Sequence, residues 1–336
     1  MVDKEIVYSA IVPFYNEEDS VLPLYNKLKK VLIDLGKHEI IFVDDGSTDK
    51  TFLRLRECAQ IDKQVRIIKF RRNFGQSAAL TSGFDHATGD IIITVDADLQ
   101  NDPKDIPKLL EKLQEGYDTI CGWRKHRKDR FLRKKVPSKV FNWFCRKISG
   151  QNIHDFGSTL RVYKRQVVKN ISVYGELHRF IPVLVAWKGY KVSETEVKHH
   201  PRKYGKTKYG GGRLVRGLLD ILTVYFLEKY LSRPMHLFGT LGILSIGLGT
   251  AIGAYLSILR ILFNVPLSDR PLLLLAILMV VFGVQFLTLG LIGEMMTRNR
   301  YETGNKKPYD IEVLLNFKHA LGSGTFERRK TVLENH

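Results

Sequence analysis

Residues Thr94 to Asp102 read TVDADLQND and follow the apolar run Ile91-Ile92-Ile93, which suits a buried strand. Asp is a common turn residue where a strand runs out, so carboxylates there mean little by themselves. Asp96 and Asp98 stand two apart, however. On an extended backbone they point the same way and can share one hard cation. The rest of the chain has to decide between these readings.

On either side of this stretch, strand-like and helix-like runs alternate. Strands are expected at Ile6–Val12, Ile40–Val43, Val65–Phe70, Ile91–Val95 and Asp118–Gly122. Helices are expected at Ser20–Leu35, Thr48–Gln60, Gly75–Ala87 and Pro103–Glu115. Such alternation predicts an α/β fold, a mostly parallel sheet covered by helices, with ligands beyond the carboxyl ends of the strands. Those ends carry Pro13-Phe14-Tyr15-Asn16-Glu17 and Asp44-Asp45-Gly46-Ser47-Thr48-Asp49. No G-x-G-x-x-G follows the first strand and no G-x-x-x-x-G-K-[ST] occurs anywhere, which removes the commonest dinucleotide and phosphate loops. Taken alone, DDGSTD reads as a capped turn. Beside Asp96 and Asp98 on the same sheet edge, it reads as half of a site for a nucleoside diphosphate and a cation.

The 336 residues carry 53 Lys and Arg against 35 Asp and Glu, a formal charge of +18, which favours an anionic partner. Cys58, Cys121 and Cys145 are odd in number and widely spaced, as reduced thiols would be. The N-terminal apolar run is too short for a secretory signal. Leu237–Leu259 and Pro271–Gly293 contain no charged residue, and each is 23 residues long. At about 1.5 Å per residue either run crosses a hydrocarbon core of about 30 Å. Lys229, Arg233, Arg298, Arg300, Lys306 and Lys307 flank the pair, so both chain ends are expected in the cytoplasm. Gly239, Gly242, Gly247, Gly249 and Gly253 offer small faces for helix packing and point to a homo-oligomer.

The series PFYNE (13–17), VDDGS (43–47), RRNFG (71–75) and DADLQ (96–100) resembles the signature of glycosyltransferase family 2, in the polyprenyl-phosphate glycosyltransferase branch. The resemblance covers nearly the whole chain. It implies a GT-A (Rossmann-like) domain over 1–210, an interfacial helix within it near 131–148, a second at 211–233, a two-helix membrane hairpin and a cytoplasmic tail over 296–336. It also implies roles. Pro13, Tyr15, Glu17 and Asp44 would meet base and ribose, with Asp45 nearby. Asp96, Asp98 and Gln100 would meet Mg²⁺ or Mn²⁺ and, through it, the diphosphate. Arg124, Arg133 and Ser138 would take the acceptor phosphate, and Arg202 and Lys208 in PRKYGKTKY would contact phosphates. Asp155 would sit at the sugar, as base or as a ligand of its hydroxyls.

The residues support a membrane-bound acceptor independently. Arg124–Lys147 holds 11 Lys or Arg and one acid, with Leu132, Val136, Val140, Phe144 and Ile148 near one helical face, a pattern suited to a lipid interface. A phosphate monoester is largely a dianion at neutral pH, its second pKa being about 6, and needs no strong general base. Taken with the resemblance, the expectation is inverting transfer of one sugar to a membrane polyprenyl phosphate in a bacterial inner membrane. The resemblance alone implies undecaprenyl phosphate as acceptor and glucose from UDP-glucose as the leading donor. Rivals are a GDP-mannose-dependent, dolichyl-phosphate-type transferase and a catalytically silent membrane-anchored binder of nucleotide sugars. Nucleic-acid binding would explain the charge but not the spans.

Overall fold

In the computed structural model, the structure describes residues 7–125, 142–143, 145–147, 150–171, 173, 175, 177–201, 226, 234–264, 266, 271–302 and 308–317. Strands β1 (Tyr8–Phe14), β2 (His38–Asp44), β3 (Val65–Phe70) and β4 (Ile91–Thr94) run parallel in the order β3-β2-β1-β4. Helices α1 (Val21–Leu35), α2 (Thr51–Ile61) and α3 (Gln76–His86) join them, and α4 (Ile106–Gln114) follows β4. These strands are near-continuous apolar runs because the sheet is covered on both faces. Ile11, Ile41, Val43 and Ile68 pack under α3 against Ala78, Ala79 and Phe84. Their neighbours Ala10, Val12, Ile40 and Phe42 meet Leu24, Leu28 and Leu32 of α1 on the other face. Each such fully buried Leu or Ile contributes about 1.5–3 kcal/mol of burial, so Leu28→Ala would cost about 2–5 kcal/mol.

Beyond β4 the sheet turns mixed. The strand expected at Asp118–Gly122 appears as β5 (Thr119–Trp123), but β6 (Arg161–Lys164) lies between β4 and β5, antiparallel to both. β7 (Val192–Glu196) runs parallel to β5 at the outer edge. At the opposite edge β8 (Ile311–Leu315) lies antiparallel on β3. β8 falls in the stretch expected to be a cytoplasmic tail, and it covers a β3 edge that would otherwise present unpaired backbone groups. Tyr309 stacks on Phe70 with ring centroids 5.2 Å apart and bonds Asp85 at 2.6 Å, while Asn316 donates to the Ala59 and Val65 carbonyls.

Two long helices, Pro234–Phe263 and Pro271–Glu302, contain the two uncharged runs and extend past both. The core helices of a soluble protein would hide their apolar side chains. Here Ile243, Leu244 and Ile261 are 66%, 65% and 75% exposed, as helices facing lipid would be. The glycines divide their work. A side chain at Gly242 would collide with the Gly283 carbonyl, so these backbones touch within the hairpin, whereas Gly247 and Gly253 face open space. The small face of Gly242 is thus used inside one chain. The interfacial helices expected near 131–148 and at 211–233 lie almost wholly outside the described residues.

Candidate active site

The loops after β1 and β2 are laced together. The Asn16 N–H donates to Ser47 Oγ at 3.0 Å, and Asn16 Oδ1 accepts the Thr48 N–H at 2.8 Å. The Glu17 N–H donates to Thr51 Oγ1 at 2.9 Å, and the Lys50 N–H to the Glu18 carboxylate at 2.9 Å. Asn16 adopts φ +51° to make this possible, a conformation Asn tolerates better than most residues. Pro13, Tyr15 and Glu17 are thereby brought beside Asp44 and Asp45. Asp44 is fully buried. One of its oxygens accepts the Ser47 N–H at 3.0 Å, and the other has no partner among the described residues. Burial pushes its pKa up, against the pull of Ser47.

Asp45 has a different task from its neighbour. Its carboxylate accepts from Asn73 Nδ2 at 3.0 Å, the Phe74 N–H at 2.7 Å and the Gly75 N–H at 3.0 Å, fastening the RRNFG turn to the end of β2. Gly46 lets the turn come so close. It sits at φ +69°, and a Cβ there would lie 2.4 Å from the Arg72 carbonyl carbon.

Asp96, Asp98 and Gln100 lie beyond the end of β4, where the chain turns at Ala97–Asp98 and bends at Leu99. Leu99 takes φ +60° and buries its side chain, so the loop folds back over the core. Asp96 accepts from Gln76 Nε2 at 2.9 Å and from the Thr159 hydroxyl. Its pKa is pushed up to about 6, first by burial and then by the neighbouring Asp98 charge. Two carboxylates that crowd each other in this way are stabilised by a shared cation. Asp98 accepts the Gln100 N–H at 3.1 Å. Among the described residues no three or more His, Cys, Asp or Glu side chains cluster as a metal site. The donors present are two carboxylates and an amide, which fit a hard cation whose other ligands are phosphate and water oxygens.

Arg124, just past β5, meets Asp155 in a bidentate pair at 2.7 and 3.0 Å, with side chains 10% and 6% exposed. The Gly157 N–H adds a further bond to Asp155 at 3.1 Å. Two residues expected in separate roles thus form one unit. Beneath them is Arg161, which the sequence reading missed. It is fully buried and donates to the Phe156 carbonyl at 2.7 Å and the His178 carbonyl at 3.0 Å. Gln76, Thr159 and His178 were missed too. Gln76 directly follows the RRNFG series, the one signal that could have found it.

The chain leaving β7 passes over the acidic loop. The His200 N–H donates to the Gln100 carbonyl at 2.8 Å, its ring lies 3.3 Å from Asp102, and His199 bridges to Asn101. Pro201 therefore starts the basic segment beside the candidate cation site. Arg202, Lys208, Arg133 and Ser138 lie outside the described residues.

Residues 9–172 match the family described as Glycosyl transferase family 2. A dodecaprenyl-phosphate galacturonate synthase of Rhizobium johnstonii is 37% identical over 308 residues, covering 90% of this chain and 91% of the relative. An undecaprenyl-phosphate 4-deoxy-4-formamido-L-arabinose transferase of Klebsiella pneumoniae is 36% identical, covering 90% and 92%. Among solved structures, glucosyl-3-phosphoglycerate synthase from Mycobacterium tuberculosis in complex with Mn²⁺ and UDP-glucose superposes with a TM-score of 0.52 at 18% identity, covering 66% of this chain and 79% of that one. That likeness shows the shared GT-A architecture. With relatives this similar over nine-tenths of its length, the chain belongs to glycosyltransferase family 2, in the branch of the polyprenyl-phosphate glycosyltransferases.

Proposed function

We propose that this enzyme transfers one sugar from a nucleotide donor to the phosphate of a membrane polyprenyl lipid, undecaprenyl phosphate, with inversion at the anomeric carbon. The observation that carries this reading is that the Asp96–Asp98–Gln100 loop and the Arg124–Asp155 pair lie at the same end of the adjacent strands β4, β6 and β5, in a chain with two exposed apolar helices. Asp44, with Pro13, Tyr15 and Glu17, would receive base and ribose, whose donors can satisfy the buried unpartnered Asp44 oxygen. Asp98, with Asp96 and Gln100, would hold Mg²⁺ or Mn²⁺. When bound, the cation offsets charge on the departing nucleoside diphosphate. Arg124, Arg133 and Ser138 would hold the acceptor phosphate in line, and Arg202 and Lys208 would add cationic contacts to the phosphates.

Asp155 acts in this reading by orienting Arg124. A carboxylate gripped by a guanidinium is a weak base, and a dianionic acceptor needs none. Glucose from UDP-glucose is the donor the sequence reading favours, while the relatives are named for galacturonate and for 4-deoxy-4-formamido-L-arabinose. Catalytic domain and both termini would face the cytoplasm of a bacterial cell, in a homo-oligomer.

The test uses labelled UDP-glucose, UDP-galacturonate, UDP-4-deoxy-4-formamido-L-arabinose and GDP-mannose with undecaprenyl phosphate in detergent, with Mg²⁺, with Mn²⁺ and with EDTA. Cation-dependent transfer from one donor, lost in Asp98→Ala, is expected. Nucleotide binding without transfer from any donor would replace this reading with a silent membrane-anchored binder.

A further inference from the structure

Asp96 and Asp98 look alike in sequence but are held differently. Both Asp96 oxygens accept protein hydrogen bonds, one from Gln76 Nε2 at 2.9 Å and one from the Thr159 hydroxyl. Asp98 spends one oxygen on the Gln100 N–H of its own loop, and its other oxygen takes no protein hydrogen bond among the described residues. Thr159 is placed by the sheet. Thr94 pairs with Arg161 across the antiparallel β4–β6 ladder, so position 159 lies opposite position 96 two steps on. Its location is reinforced from both ends of the acidic loop. Thr94 Oγ1 donates to the Thr159 carbonyl at 2.7 Å, and Asn101 Nδ2 reaches Thr159 Oγ1 at 3.4 Å. Four residues upstream in the same run is Asp155, paired with Arg124.

We propose that Thr159 and Gln76 are positioning residues for the cation, clamping the Asp96 carboxylate from both sides so that Asp98 keeps an oxygen for direct coordination. The inference rests on the cation site proposed above. Outer hydrogen bonds of this kind fix the direction of a ligand's lone pairs and hold it in place before the ion arrives. The run Asp155–Thr159 also ties the two halves of the site together. Its first residue sets Arg124, on the acceptor side, and its last sets Asp96, on the donor side. A shift of this run would move both.

The test is titration of the full chain in detergent with Mn²⁺ in the presence of UDP, reading free Mn²⁺ by its paramagnetic resonance signal. Thr159→Val keeps the shape and removes the hydroxyl, and should weaken Mn²⁺ binding about 10–100-fold. Thr159→Ser should restore affinity to within a few-fold of the unmodified chain, which a purely steric role for Thr159 would not predict. Should Thr159→Val fail to fold, Gln76→Met decides, with the same direction of loss expected. Unchanged Mn²⁺ affinity in whichever variant decides, or a Thr159→Ser protein as weak as Thr159→Val, would overturn the clamp. An unmodified chain that binds UDP but takes up no Mn²⁺ would overturn the cation reading and the clamp together.

Discussion

The Arg124–Asp155 pair permits a quantitative test. With side chains 10% and 6% exposed and contacts at 2.7 and 3.0 Å, it sits in a nearly dry setting. Unit charges about 4 Å apart in an effective dielectric of about 20 attract by about 4 kcal/mol. Removing one partner also strands the other charge, which costs about 3–5 kcal/mol in comparable buried pairs. Asp155→Asn and Arg124→Met should each destabilise on that scale, while the double variant should recover much of the loss. A coupling of about 2–4 kcal/mol is therefore expected, measured by denaturant unfolding of the four proteins in detergent. Coupling below about 1 kcal/mol, the level of exposed pairs, would refute the dry-pair reasoning. Such a result, joined with a transfer rate about 10²–10⁴ lower in Asp155→Asn alone, would identify Asp155 as a base instead.

Other expectations follow from single contacts. Gly46→Ala imposes a left-handed cost of about 1–2 kcal/mol and an overpacking cost of about 1–3 kcal/mol against the Arg72 backbone. It should lower both the melting point and UDP affinity, and an unaltered melting point would mean the two turns are not tightly apposed. Burial, then Arg179 and Arg161, push the His178 pKa down from 6.5 to about 3. The unfolded chain takes up that proton first, so the stabilisation is complete above pH 6.5 and falls as pH drops toward 3. The loss is about 1.4 kcal/mol per pH unit, or about 3 kcal/mol by pH of about 4.5. His178→Gln should flatten that slope in melting curves. Tyr309→Ala removes a buried stacked ring and should cost about 3 kcal/mol in unfolding measurements, and no change would detach the tail from the domain's stability.

The strand ends were legible because apolar runs of four to seven residues broke off into carboxylates, which no buried sheet keeps without reason. That sufficed to single out Asp44, Asp96, Asp98 and Gln100 as candidates. Partnerships across the chain were not legible. Arg124 and Asp155 are 31 positions apart, and nothing local says that each neutralises the other. Thr159 looks like any strand-flanking threonine until β6 is seen to insert antiparallel beside β4, an order that alternation of elements does not encode. The chain turns at Asp98 and bends at Leu99, against the extended backbone expected there, because a buried leucine outweighs the cost of a positive φ. β8 was missed for a simpler reason: five residues with modest alternation, following a helix and a polar stretch, carry too little periodic signal.

That last strand has a topological consequence. β7 precedes the two long helices and β8 follows them, yet both belong to one sheet. A single folded sheet cannot be threaded through a bilayer, so the chain must return to the leaflet it left. The number of crossings between β7 and β8 is therefore even, whatever the distribution of lysines and arginines around the helices. If each long helix crosses once, a chain lacking residues 271–302 would keep one crossing and strand β8 on the far side, leaving the β3 edge bare.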